Sequence, residues 1–247
     1  MIKINYAEYA KKLTDLLGLE FPPLGAKFLK PNEPIPEGFN PPSKKIRFCQ
    51  AVMEASWGKS LVIKPEEIAC GPGPATFGAP IKEKVIRGEV HHALGLYETP
   101  EVAAKAILSN YRFPFGAVAN ILVAPIEKFP IQFDSALLRL KPEQAMWIFA
   151  AKSYHQVAHT TVIIAPDQSI CSYAAVASFL KNDLTLGLGC YGSRTGTDLK
   201  LEEMVVGIPE SMIATIIEAL EKLKKPMEDV RSKKVFYASY PEKTPNT

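Results

Sequence analysis

The residues of this chain with the most distinctive chemistry are its four cysteines. They lie far apart, each beside small residues or glycine: Cys49, Cys70, Cys171 and Cys190. No two of them have the two-residue spacing of a zinc knuckle or a ferredoxin loop. Thiolates are soft anionic donors, and four of them suit an iron–sulfur cluster or another soft metal centre. Because the cysteines are dispersed, only tertiary structure can assemble such a centre.

The same cysteines have more ordinary interpretations. In a reducing cytosol, isolated cysteines are commonly buried as small apolar residues, and disulfides are rare. Cys49 or Cys190 beside a histidine would instead form the nucleophile of a thiol-dependent enzyme. A shared metal centre makes a sharper prediction. At least three of the four sulfurs should lie around one point, since a sulfur ligand sits about 2.3 Å from a metal such as zinc.

A glycine-rich segment surrounds Cys190 and contains Gly189, Gly192 and Arg194. Glycines let backbone N–H groups approach sulfur or an anion, and the arginine fork suits a carboxylate or phosphate. The segment matches neither a P-loop nor a dinucleotide-binding fingerprint. We expect these three residues at the cofactor site. The alternatives are a small-anion site without metal, and a structural turn in which Arg194 pairs with Glu202 or Glu203.

The four histidines could add nitrogen ligands. His91 and His92 lie among apolar residues and glycines, where one interpretation is a metal or tetrapyrrole ligand. His155 and His159 are four residues apart, which places both rings on one face if that segment is helical. Surface histidines near a helix end are the alternative. An iron tetrapyrrole such as haem is therefore the second cofactor hypothesis, after the iron–sulfur cluster.

Periodicity and proline or glycine breaks indicate the elements that must position these residues. The predicted helices are Tyr6–Leu17, Cys49–Trp57, Glu101–Ser109, Pro142–Lys152, Cys171–Leu180 and Pro209–Leu223. The predicted strands are Leu24–Leu29, Leu61–Ile63, Ala117–Ala124, Ala136–Leu140, Thr160–Ala165 and Leu184–Leu188. The tail after Pro226 is expected to be loosely attached. Strands and helices without strict alternation predict an α+β fold, with a mixed sheet and flanking helices.

The 247 residues are predicted to form a single domain. Leu61–Cys70 aligns without a gap with Val162–Cys171, and both have an apolar strand, a proline–acid turn and a cysteine. One hypothesis is an internal pseudo-repeat with halves at 20–110 and 130–225, which would make Cys70 and Cys171 equivalent. Chance similarity between two common turns is the alternative.

Composition limits the classes of partner. The net charge is +3 and the basic residues are scattered, so no nucleic-acid surface is expected. There is no run of 18 apolar residues and no leader-like start, which predicts a soluble, cytoplasmic protein without a membrane segment. If the protein holds a redox cofactor, we expect an electron-transfer partner. A homo-oligomer is the second hypothesis about its partners.

Several short pieces of the chain resemble the domain of unknown function 169 family. These pieces are Pro23–Phe28, Arg47–Val52, Cys70-Gly71 with Gly78, Pro142–Ala145, Cys171-Ser172, and Leu188–Arg194 followed by Glu202-Glu203. The resemblance implies that the four cysteines and Arg194 belong to the family pattern, and it implies no particular activity. The prediction from the sequence is a metal- or redox-cofactor-binding protein, and whether it is an enzyme stays open.

Overall fold

A computed structural model of the protein describes residues 5–154, 164 and 166–232. Its centre is a six-stranded sheet with the order β2-β3-β1-β4-β6-β5. All pairings between neighbouring strands are antiparallel. Helices pack against this sheet, which confirms the predicted α+β class.

The strands are β1 (Leu24–Leu29), β2 (Leu61–Ile63), β3 (Asn120–Pro125), β4 (Ser135–Leu140), β5 (Thr185–Gly187) and β6 (Met204–Pro209). The α-helices are α1 (Tyr6–Leu17), α2 (Phe48–Ser56), α3 (Gly73–Thr76), α4 (Glu83–Ile86), α5 (Glu89–Ala93), α6 (Pro100–Ser109), α7 (Pro142–Tyr154), α8 (Ser178–Lys181), α9 (Tyr191–Gly196), α10 (Ile213–Lys222) and α11 (Lys224–Ser232). A π-helix (Ser169–Ala177) precedes α8, and 3-10 turns follow β2, β3 and β6.

Side-chain alternation along the strands divides the interior into two cores. In β3, Leu122 joins the core that also contains α1, α7 and α10 residues, whereas Val123 joins the core of α2 and the π-helix. Successive strand residues point to opposite faces of a sheet, so each central strand supplies both cores. The sheet is therefore a middle layer, and the face covered by α2 and the π-helix is the one that carries the cysteines.

The sequence prediction fails at the C-terminal elements. The apolar stretch Met204–Pro209 is a strand, and the helix begins only at Ile213 after a 3-10 turn, because Pro209 ends β6. The tail is also docked as far as Ser232. Met227 is 1% exposed, and the Arg231 guanidinium donates to the carbonyls of Leu16 and Leu17.

The segment predicted as an α-helix at Cys171–Leu180 is mostly a π-helix. Its wider turns leave backbone carbonyls that hydroxyl groups satisfy. Ser178 Oγ donates to the carbonyls of Ala174 and Ala175, and Ser135 Oγ also donates to Ala175. Periodicity does not distinguish a π-helix from an α-helix, and π-turns occur frequently at functional sites.

Two further predictions concern a strand at Thr160–Ala165 and the absence of a membrane segment. The strand predicted at Thr160–Ala165 lies outside the described residues except for Ile164. Within the described part of the chain, none of the helices has both the length and the apolar character that crossing a membrane requires.

Candidate functional site

One cavity of about 350 Å³ lies beside the ends of α2 and the π-helix, and all four cysteines line it. About one in ten of the described residues contribute to its wall. The cysteines reach it from four separate segments, and each is partly accessible to solvent or to the cavity. Tertiary structure therefore gathers residues that the sequence separates by up to 141 positions.

Cys49 and Cys70 are held on adjoining segments. Cys49 lies in the first turn of α2, where the Gln50 side chain accepts a 2.9 Å hydrogen bond from the backbone N–H of Arg47. The N–H of Ala69 donates to the carbonyl of Ile46 at 2.9 Å, which brings the residue before Cys70 next to the start of α2. The chain then turns through Gly71 and Gly73.

Gly73 permits a close approach to Cys70. Its backbone N–H donates a hydrogen bond to the Cys70 sulfur. A Cβ at position 73 would lie 3.1 Å from the Cβ of Cys70 and 3.0 Å from a methyl group of Ile68. A larger residue would therefore crowd Cys70. Hydrogen bonds of this kind stabilise sulfur that carries negative charge.

Cys171 lies in the first turn of the π-helix, after a strained residue. Gln168 has φ +45°, in the left-handed region that non-glycine residues seldom occupy. The Cys171 thiol donates to the Gln168 carbonyl at 3.5 Å, and the buried Gln168 side chain accepts from Thr76 Oγ1. Strain of this type persists only where the surroundings enforce it, and it clusters at functional sites.

Cys190 is positioned by contacts with the other cysteine-bearing segments. The Gly189 N–H donates to Ser169 Oγ at 2.9 Å, which ties this loop to the start of the π-helix. On the opposite side, the Arg47 guanidinium donates to the Gly192 carbonyl, and Gln50 Nε2 donates to the Gly196 carbonyl at 2.9 Å. The segments of Cys49, Cys171 and Cys190 are thus cross-linked by hydrogen bonds around the cavity.

The sheet topology pairs the cysteines two by two. If β1 is matched with β4, β2 with β5 and β3 with β6, the strand order reads the same from either edge of the sheet. Cys49 lies in the first turn of the helix between β1 and β2, and Cys171 lies in the π-helix between β4 and β5; Cys70 follows β2, and Cys190 follows β5. This matching makes Cys49 the counterpart of Cys171 and Cys70 the counterpart of Cys190.

The repeat suggested by the sequence used a different pairing. It matched Cys70 with Cys171 through Val162 and Ile163, which lie outside the described residues. In the described topology, β5 takes the place that corresponds to β2. The pairing of Cys70 with Cys171 and the duplication itself both stay predictions.

Burial holds three of the four thiols in their neutral form. The pKa of Cys49 is raised to about 12, mainly by desolvation and also by the neighbouring Cys190 and Cys70, while Arg47 opposes the rise. Burial is also the main cause of the raised pKa of Cys70 and of Cys171, which also feel the other cysteines. Four thiolates in this cavity would repel one another in a poorly solvated space, so a bound cation is needed to ionise them together.

The cysteines share a cavity but do not surround a single point. Among the described residues, no three His, Cys, Asp or Glu side chains are placed so that they could hold one metal ion. The expectation that three sulfurs lie around a common point is therefore not met there. Neutral thiols do not attract one another, and they lie apart on the wall of a cavity that is much larger than one ion.

Arg194 has a structural environment. Its guanidinium donates to the backbone carbonyls of Leu188, Lys200 and Glu203, and Arg194 is not among the cavity-lining residues. Gly189, with φ +88°, gives Arg194 room, since a Cβ there would lie 2.6 Å from its Nε. Of the glycine-loop residues expected at the site, only Gly192 lines the cavity.

The histidines behave differently from one another. His91 is 6% exposed and lines the cavity, whereas His92 is exposed and its Nδ1 lies 3.0 Å from the Tyr97 carbonyl oxygen. His155 and His159 lie outside the described residues. The prediction of a ligand pair at His91 and His92 therefore finds only His91 at the cavity.

Sequence reasoning missed three polar residues of the wall: Arg47, Asp167 and Gln168. Arg47 follows two lysines, and such a patch usually indicates a solvated surface. Asp167 and Gln168 follow a proline, as in many ordinary turns. The capping relation between Arg47 and Gln50 was a usable signal, since a residue three positions into a helix commonly caps its start.

Comparison with protein-family models assigns most of the chain to one family. The model of the DUF169 family, described as "Uncharacterised ArCR", matches residues 12–219. An "Uncharacterized protein MJ0308" of Methanocaldococcus jannaschii is 28% identical over 221 residues, which cover 88% of this chain and 94% of that protein. No solved structure matches the chain. Because the family model spans well over half of its length, this chain belongs to the domain of unknown function 169 family.

Proposed function

We propose that this protein binds an iron-containing redox cofactor in the four-cysteine cavity, with an iron–sulfur cluster as the first candidate. The observation that carries the proposal is that every cysteine of the chain lines one cavity formed by a small fraction of its residues. Cysteines that served only as packing would have no reason to share a wall. Thiolates are the usual ligands of iron–sulfur clusters.

The electrostatics of the cavity favour a cationic occupant. Burial raises the pKa of Cys49, Cys70 and Cys171, so these thiols stay protonated unless a positive centre replaces their protons. The Gly73 N–H hydrogen bond to Cys70 and the charge of Arg47 both favour the thiolate form. The wall is therefore suited to thiolates that form when a metal centre enters.

The size of the cavity favours a cluster over a single ion. At about 350 Å³ it has the volume of roughly ten water molecules. The described side chains do not converge on one ion. A centre of several atoms can reach sulfurs that lie apart on the wall of the cavity.

Two alternative functions receive less support. A small-anion site at the glycine loop would use Arg194, whose donors already serve three backbone carbonyls. A thiol nucleophile needs a lowered pKa, and burial raises the pKa of three of the four thiols. The cluster proposal also implies an electron-transfer partner and a reducing compartment such as the cytoplasm. A homo-oligomer stays a prediction.

Anaerobic purification followed by spectroscopy tests the proposal. We expect a broad visible absorption shoulder, with iron and acid-labile sulfide bound in comparable amounts. Each single change among Cys49, Cys70, Cys171 and Cys190 to serine should lower the iron content. The control is Thr195→Ala, an exposed hydroxyl on the helix after Cys190, which should retain the cofactor. A sharp intense band would indicate a tetrapyrrole instead, and a colourless, iron-free protein would contradict the proposal.

A further inference from the structure

His91 is a buried polar side chain with an unused nitrogen. It lies on α5, is 6% exposed and lines the four-cysteine cavity. Its Nδ1 is buried and has no hydrogen-bond partner among the described residues. Buried polar atoms are nearly always paired, so an unpaired nitrogen in a residue that lines a cavity requires an explanation.

Close packing fixes the helix that carries His91. Gly88 precedes α5 with φ +73°, and a Cβ there would lie 2.0 Å from the Pro100 carbonyl oxygen and 2.6 Å from the Ala104 nitrogen. Glycine is therefore required where α5 crosses the start of α6. The histidine is consequently presented by a rigid contact between two helices.

The other ring nitrogen of His91 faces a carboxylate. Its Nε2 lies 3.6 Å from Asp167 Oδ1. Asp167 is itself held by the Gln168 N–H at 2.8 Å and by Asn110 Nδ2 at 3.4 Å, and Tyr173 donates to Asn110 Oδ1 at 3.0 Å. A carboxylate at Nε2 favours a proton on that nitrogen, which leaves the lone pair on Nδ1.

We propose that His91 Nδ1 is a nitrogen ligand of the metal centre bound among the four cysteines, and that Asp167 positions its ring. The inference rests on the proposed function and adds a donor to it. His91 belongs to the segment between β2 and β3, and it has no place in the two-by-two matching of the cysteines. With His91, the ligands of the centre include a nitrogen as well as sulfurs, so one side of the centre differs from the other. Imidazole is a common ligand of iron, zinc and copper.

Pulsed electron paramagnetic resonance of the iron-loaded protein tests the inference. Protein with ¹⁵N-labelled histidine is measured in both the oxidised and the reduced state. We expect a strongly coupled histidine nitrogen in the wild type and in His92→Ala, the exposed neighbour, and loss of that coupling in His91→Ala. Asp167→Asn should keep the coupling and raise the reduction potential, because the carboxylate makes the ligand more basic and stabilises oxidised iron.

The outcomes separate the two proposals. Bound iron without a coupled histidine nitrogen, or with coupling that persists in His91→Ala, overturns the role of His91 and leaves the iron site intact. A wild type that binds no iron overturns both. If His91→Ala fails to fold, His91→Cys serves as the second variant. It should retain iron, lose the nitrogen coupling and show a lower reduction potential, since thiolate ligation lowers the potential relative to imidazole. Retention of the wild-type potential and coupling in this variant contradicts the proposal.

Discussion

Replacement of Cys49 by serine should change how the stability of the metal-free protein depends on pH. The pKa of this thiol rises from 9.0 to about 12 on folding, mainly because of burial. A thiol whose pKa is raised by folding stabilises the fold fully at a pH below its pKa in the unfolded state. This stabilisation is lost as the pH rises towards its pKa in the folded state. Between pH 8 and pH 10, the unfolded chain ionises Cys49 and the folded chain does not.

The magnitude follows from the two pKa values. Each pH unit above 9 favours the unfolded state by about 1.4 kcal/mol per such thiol, so the wild type should lose about 1.4 kcal/mol more than Cys49→Ser between pH 8 and pH 10. Urea denaturation with chelator and reductant measures both free energies of unfolding. The control Thr195→Ala should follow the wild type. Parallel pH profiles for wild type and Cys49→Ser would refute the argument that the cavity keeps its thiols neutral.

Three further predictions concern the site and its surroundings. The affinity for Fe²⁺, measured against a competing chelator between pH 6 and pH 8, should rise about tenfold per pH unit for each ligating thiol whose pKa is raised. An affinity that does not change with pH would count against thiolate ligation. Arg194→Lys should lower the free energy of unfolding by roughly 2 kcal/mol and retain iron, because lysine cannot donate to all three backbone carbonyls as the guanidinium does. Loss of iron at an unchanged melting temperature would show that Arg194 takes part in binding. Met227→Ala should cost about 2 to 3 kcal/mol, and a cost below about 0.5 kcal/mol would show that α11 is loosely attached.

The sequence predicts most of the scaffold because its signals are local. The helix at Tyr6–Leu17 and the strand at Leu24–Leu29 follow from apolar spacing and from the breaks that bound them. The strand Met204–Pro209 was missed because it is apolar on both faces and directly precedes a helix-like proline signal. A strand buried on both sides lacks the alternation that identifies strands.

The sequence identifies the cysteines of the candidate site but neither its other polar residues nor its geometry. The four cysteines stand out by type, but their convergence depends on a π-helix and on the matching of two sets of three strands. Arg194 looked like a ligand-binding residue because an arginine fork suits anions and backbone carbonyls equally. His91 and His92 were candidate ligands on equal terms, and burial together with the absence of a partner for His91 Nδ1 among the described residues distinguishes the two.

The central claim is that iron binds among the four cysteines. Crystals of anaerobically purified protein, measured at the iron absorption edge, test this claim most directly. The account predicts anomalous density within the cavity, with at least three cysteine sulfurs drawn in to about 2.3 Å from it. Crystals that show no iron peak in the cavity, with the four sulfurs separately packed, would contradict the account.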